Sequence, residues 1–117
     1  MRLLIVDDRE GYRDHLRQFF SEEGYQVVTA ASGKEALAVL ERDWPDVVIT
    51  DIVMPRGDGF FLLEHIGDKG LQCPVIVITA YGSQESAVRA LRLGAYDYVT
   101  KPFDLDVMLA TVNRAAE

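Results

Sequence analysis

The sequence predicts an α/β domain in which five parallel strands alternate with five helices. Three observations carry that prediction. Short apolar runs recur along the whole chain, and three of them are unbroken and rich in Val and Ile, which is how strands buried on both faces of a parallel sheet read. The segments between them carry apolar residues at helical spacing rather than with a period of two. The links joining the two kinds of segment are short, so each strand returns to the sheet through a right-handed crossover. Together these imply a doubly wound sheet in the order 2-1-3-4-5, a three-layer sandwich of flavodoxin-like type.

Taken in order, the first strand is Leu3 to Val6, followed by a helix whose apolar face is Tyr12, Leu16, Phe19 and Phe20. Val27 to Ala30 is the second strand, and Ser32 with Glu35 forms a capping box that starts the second helix. Val47 to Thr50 is the third strand, and Phe60, Leu63 and Ile66 mark the third helix. Val75 to Thr79 is the fourth strand, and Gly94 stops the helix after it. The weakest run, Tyr96 to Val99, is the fifth strand. Asp104 caps a last helix with Leu105, Met108, Leu109 and Val112 on its apolar face.

The bulk properties agree with a self-sufficient fold. A chain of 117 residues fits one domain over positions 1–117, and it is long enough to bury about two thirds of its unfolded surface, leaving roughly 6,400 Å² exposed. With 49% hydrophobic and 26% charged residues it is an ordinary globular composition. Twelve Lys and Arg against nineteen Asp and Glu give a net charge of −7, which repels nucleic-acid phosphates and anionic lipid. Neither nucleic acid nor membrane is therefore an expected partner. The single cysteine, Cys73, forms no internal disulfide, and no apolar stretch approaches the length of a membrane span. The expected location is the cytoplasm.

Ligands of open α/β sheets sit beyond the carboxyl ends of the strands, where the strand order reverses. Here the first strand runs into Asp7 and Asp8, the third into Asp51, the fourth ends in Thr79, and Lys101 follows the fifth. With the first and third strands as central neighbours, Asp7, Asp8 and Asp51 converge, and three crowded carboxylates repel unless a cation joins them. Oxygen ligands with room for water suit Mg²⁺ or Mn²⁺. A lysine on the far side is placed to hold a transferred phosphoryl group, and an aspartate is a competent nucleophile for it. His15, His65, Trp44 and Cys73 stand apart from this rim and are assigned no chemistry.

The same residues carry a family resemblance. Asp7-Asp8, the stretch Ile49-Thr50-Asp51-Ile52-Val53-Met54-Pro55-Arg56-Gly57-Asp58-Gly59, Thr79-Ala80 and Lys101-Pro102-Phe103, in that order and at those spacings, resemble the response-regulator receiver domain over essentially the whole chain. The resemblance implies that Asp51 accepts a phosphoryl group from the phosphohistidine of a sensor histidine kinase. It implies that Asp8, Asp51 and the backbone carbonyl of Val53 coordinate Mg²⁺, with Asp7 helping through water, and that Lys101 and Thr79 contact the phosphoryl oxygens. Tyr98 matches the aromatic switch position, working with Thr79. Val53 and Tyr81, two residues beyond Asp51 and Thr79, are expected to shield the acyl phosphate and set its lifetime. The Lys101-Pro102 bond is expected to be cis.

The output expected from the resemblance is a change in the surface of the fourth helix, fifth strand and fifth helix, read by an effector domain or a second copy of the chain. Residues Ala80 to Tyr98 are similar to receivers of bacterial enhancer-binding transcription activators and also to those of some sensor-kinase hybrids. Such a protein is not an enzyme beyond catalysing its own phosphoryl transfer and slow autodephosphorylation. Two departures stand near the motifs: Arg9 replaces a commonly acidic residue and Gly57 a frequent apolar one, and neither is expected to touch the reacting atoms. Phe61 lies where a polar residue is usual, which suggests an exposed ring. The main rival is a Mg²⁺-dependent aspartyl-phosphate hydrolase of haloacid-dehalogenase type, but it needs a second aspartate where Val53 stands. A flavin carrier is disfavoured because Asp7 and Asp8 would repel its phosphate.

Overall fold

The computed structural model describes residues 1–42, 44–54, 58–70, 72–80 and 82–117. These form β1 (Arg2–Val6), α1 (Glu10–Glu22), β2 (Gln26–Ala30), α2 (Gly33–Arg42), β3 (Val47–Asp51), α3 (Gly59–Asp68), β4 (Val75–Thr79), α4 (Gln84–Arg92), β5 (Asp97–Thr100) and α5 (Leu105–Ala116). All four strand pairings are parallel, and the sheet runs β2-β1-β3-β4-β5, the expected order.

Burial explains which runs were unbroken. The central strands β3 and β4 are buried at every position and β1 at all but Arg2. Side chains alternate between the two faces. Leu3, Ile5, Val47, Ile49, Ile76 and Ile78 point toward α1 and α5, where Leu16, Phe20, Met108 and Val112 complete one core. Leu4, Val6, Val48, Val75 and Val77 point the other way, against Ala36, Val39 and Leu40 of α2 and Leu62, Leu63 and Ile66 of α3. The edge strand β2 alternates between exposed and half-buried before it reaches Ala30, since only one of its faces is covered. The exposed surface is 6402 Å², in line with the size expectation.

β1 and β2 each begin one residue earlier than the sequence reading, at Arg2 and Gln26, and β3 and β5 shift toward the carboxyl rim. β3 includes Asp51, whose register partner is Ile78, so this carboxylate is held by the sheet itself. β5 begins at Asp97; Tyr96 donates its N–H to the Val75 carbonyl at 2.7 Å as the chain joins the sheet, and its ring is exposed.

The helix starts are specified locally. Asp58 accepts from Phe61 N at 2.9 Å, and Asp104 accepts from Asp106 N at 2.8 Å and Val107 N at 3.2 Å. Glu35 N donates to Ser32 Oγ at 3.2 Å before α2. A reciprocal box at α4 pairs Ser83 with Ser86, with a serine where glutamate is the usual signal. Gly94 leaves α4 at φ +100°, as a helix stop requires. The Lys101–Pro102 peptide is cis. Cys73 is buried, its Sγ 3.5 Å from the Pro45 carbonyl; burial first, then the nearby Asp46 charge, pushes its thiol up to about 11.

Candidate functional site

Since all strands are parallel, their carboxyl ends share one rim, and the polar residues that terminate the apolar runs meet there. Asp7 leaves β1 with its N–H still donating to the Ala30 carbonyl at 3.1 Å, and its side chain is fully buried. Asp51 closes β3 and is also buried. Asp8 is exposed beside them, and one carboxylate oxygen from each of the three lies within 4.8 Å of the others. Among the described residues this is the group whose donors are arranged to hold a metal ion, and its oxygen-only set fits a hard divalent cation.

Lys101 closes the buried side of the cluster. Its N–H continues the sheet by donating to the Thr79 carbonyl at 2.8 Å, and its ammonium then reaches Asp51 Oδ2 at 2.9 Å and Asp7 Oδ2 at 3.1 Å. Their other oxygens receive backbone N–H groups, Arg9 N to Asp7 Oδ1 at 2.9 Å and Val53 N to Asp51 Oδ1 at 3.2 Å. Both buried carboxylates are thus aimed from two sides. No buried side-chain polar atom among the described residues lacks a partner.

Two residues of this site were not anticipated. Arg9 approaches the carboxylates, with Nε 3.6 Å from Asp7 Oδ1 and Nη2 3.8 Å from Asp51 Oδ2. Arg9 was expected to stay clear of the site, but at the N-cap of α1, directly after the aspartate pair, its side chain folds back toward the Asp7 and Asp51 carboxylates. Tyr12 lies one helical turn on, its ring centroid 4.1 Å from Lys101 Nζ and 5.3 Å from the Arg9 guanidinium carbon. Burial, and then the negative charge of Asp7, pushes its hydroxyl up to about 12, although Arg9 pulls the other way. Tyr12 is therefore a neutral ring under two cations. The signal for both was adjacency and helical spacing: Arg9 and Tyr12 are an i, i+3 pair starting beside Asp8.

The remaining expected residues divide. Thr79 is buried at the end of β4, beside the strand that carries Asp51. Val53 is exposed just beyond β3. Tyr98 is half-buried on β5, and its hydroxyl lies 2.6 Å from Ser86 Oγ on α4. Tyr81, Pro55, Arg56 and Gly57 lie outside the described residues. His15 is exposed on α1. Phe61 is half-buried rather than bare, because His65 covers it one turn later with ring centroids 4.4 Å apart and its Nδ1 3.2 Å from the Phe61 carbonyl.

The sequence profile of the response regulator receiver domain matches residues 3–113. The chain is 44% identical over 116 residues to the regulatory protein AtoC of Escherichia coli, covering 99% of this chain and 25% of AtoC. It is 40% identical over 116 residues to the C4-dicarboxylate transport transcriptional regulatory protein DctD of Pseudomonas aeruginosa, again over 99% of this chain and 25% of the relative. The chain thus spans about a quarter of the length of these two curated relatives. The receiver domain of Francisella response regulator 1452 superposes with a TM-score of 0.93 at 33% identity, covering 98% of this chain and 95% of that one.

Proposed function

The chain belongs to the response regulator receiver domain family, and from that premise we propose that residues 1–117 form one phosphoryl-accepting domain whose acceptor is Asp51. The observation that carries this reading is the placement of the Asp51 carboxylate. It sits at a strand end, buried, with one oxygen on Lys101 and its fellow carboxylates Asp7 and Asp8 close by. A haloacid-dehalogenase chemistry is not supported, since the position two beyond Asp51 is an exposed valine with no proton to give.

In this reading a carboxylate oxygen of Asp51 attacks phosphorus as the P–N bond of a sensor kinase's phosphohistidine breaks, and the imidazole leaves with the bonding pair. Lys101 orients the acceptor before transfer and neutralises phosphoryl oxygens afterwards. Asp7, Asp8, Asp51 and the Val53 carbonyl are the groups that would hold Mg²⁺ or Mn²⁺. When bound, that ion supplies positive charge against the oxygens of the transferred group. Thr79 donates its hydroxyl to a phosphoryl oxygen, and the Tyr98 ring follows the space that Thr79 vacates. The surface of α4, β5 and α5 then changes, and an effector domain or a second copy reads it. Val53, together with Tyr81, shields the acyl phosphate from an in-line water and lengthens its life.

The domain acts as a signalling module, with its own phosphoryl transfer and slow dephosphorylation as its only catalysis, in the cytoplasm. No helix among the described residues is long and apolar enough to cross a membrane. The likeness to DctD, named as a transcriptional regulator, supports transcription control as the output of the signal.

The test is intact mass after incubation with acetyl phosphate and Mg²⁺. The wild-type chain gains one base-labile phosphoryl group and Asp51→Asn gains none. Uptake by the Asn variant at the wild-type rate, or no uptake by the wild type, refutes the assignment.

A further inference from the structure

Lys101 is one cation on the acidic cluster, and a second is built in. Arg9 stands within ion-pair range of both buried carboxylates, at 3.6 and 3.8 Å. These separations exceed hydrogen-bond length, so the interaction is one of charge rather than of geometry. The guanidinium is held near the rim by two anchors: its own backbone N–H donates to Asp7 Oδ1 at 2.9 Å, and the Tyr12 ring lies 5.3 Å beneath it. Its side chain is 56% exposed, so its charge acts at the solvent side of the rim. Arginine keeps its charge at every accessible pH.

Asp7, Asp8 and Asp51 carry three negative charges, and Lys101 with Arg9 carry two positive ones. Without a metal ion the rim carries one net negative charge instead of the two it would have without Arg9. A divalent cation entering the wild-type site overshoots neutrality and must meet the repulsion of Arg9. Phosphorylation of Asp51 replaces its single charge by about two on the phosphoryl group. The rim then holds about four negative charges, which Lys101, Arg9 and one divalent cation together neutralise.

We propose that Arg9 is a resident competitor for the divalent cation: it lowers metal affinity while Asp51 is unmodified and is taken up by the phosphoryl group once Asp51 is modified, so that metal retention is coupled to phosphorylation. This inference rests on the receiver reading of the site, and it assigns to Arg9 a positioning role that acts through charge.

The experiment is calorimetric titration of the purified chain with MgCl₂ alone, for the wild type, Arg9→Gln and Arg9→Lys. Arg9→Gln is expected to bind Mg²⁺ about two- to fivefold more tightly, the modest size reflecting a half-exposed charge, and the gain shrinks as salt is raised. Arg9→Lys, which keeps the charge, moves the affinity less. With beryllofluoride and Mg²⁺ as the phosphoryl mimic the order reverses, and Arg9→Gln saturates less readily than the wild type. Equal or weaker Mg²⁺ binding by Arg9→Gln, when the wild type binds Mg²⁺, overturns this inference alone. A wild type that binds no Mg²⁺ overturns the reading of the site and this inference with it.

Discussion

The hydroxyls of Tyr98 and Ser86 lie 2.6 Å apart and join β5 to the first turn of α4. Ser86 is also one half of the α4 capping box, donating its Oγ to the Ser83 carbonyl at 3.1 Å and accepting the Ser83 N–H at 3.2 Å. The Tyr98 ring is therefore tied to the same serines that start the helix, so motion of one is felt by the other. A double-mutant cycle of Ser86→Ala and Tyr98→Phe should show a coupling of about 0.5–1.5 kcal/mol in urea unfolding. Additive effects of the two substitutions would show that the hydroxyl pair is incidental.

Gly59 opens α3 against the end of β3. A Cβ there would sit 2.7 Å from the Asp51 carbonyl oxygen and 3.1 Å from Ile52 Cα, and neither atom belongs to a side chain that can move aside. Gly59→Ala should therefore lower stability by about 1–3 kcal/mol despite alanine's better helix propensity. It should also weaken Mg²⁺ binding by displacing Asp51. A stable variant with unchanged metal affinity would mean that α3 yields without cost.

Metal binding and folding should be linked. A cation that binds only the folded rim at a hundredfold excess over its Kd adds about 2.7 kcal/mol, of order ten degrees in Tm for a domain of this size. Asp8→Ala should erase most of that shift while leaving the metal-free Tm little changed, because Asp8 is exposed. Melting curves with and without Mg²⁺ decide it.

Alkaline stability offers a separate check on Tyr12. Its hydroxyl is raised from the ordinary value of 10.0 to about 12 in the folded state, so the unfolded chain loses this proton first. The contribution is fully present below pH 10 and is lost as pH rises from about 10 to 12. Tyr12→Phe should therefore lose less stability than the wild type across that interval, measured as the urea midpoint at successive pH values. Parallel curves would place Tyr12 in a less shielded setting.

The parts of this molecule that were legible in the sequence are those set by the backbone. Unbroken Val and Ile runs marked β1, β3 and β4, and where each run ended the next polar residue had to emerge on the carboxyl rim, which located Asp7, Asp8, Asp51 and Lys101. The roles of Arg9, Tyr12 and Ser86 were not legible because they depend on which way a side chain turns. Tyr12 reads as one more apolar residue of α1, yet its ring forms the floor beneath Lys101 and Arg9. Arg9 reads as a surface charge until its long side chain folds back. Ser86 imitates the capping role of a glutamate with a shorter group, and periodicity carries no trace of the Tyr98 hydroxyl that it meets.

The parallel sheet also separates two ends of the molecule that differ in consequence for an experimenter. The turn from Glu23 to Tyr25 leads into β2 at the edge where Gln26 N meets the Met1 carbonyl at 2.9 Å. Every strand starts on that edge, about 16 Å of strand away from the carboxylates. A fluorophore or surface tether attached at Glu23, which is exposed, would touch none of Asp7, Asp8, Asp51 and Lys101. Immobilised by that edge, the domain presents its carboxylate rim outward, an orientation suited to a surface-bound sensor of acyl-phosphate donors if the proposed acceptor role of Asp51 holds.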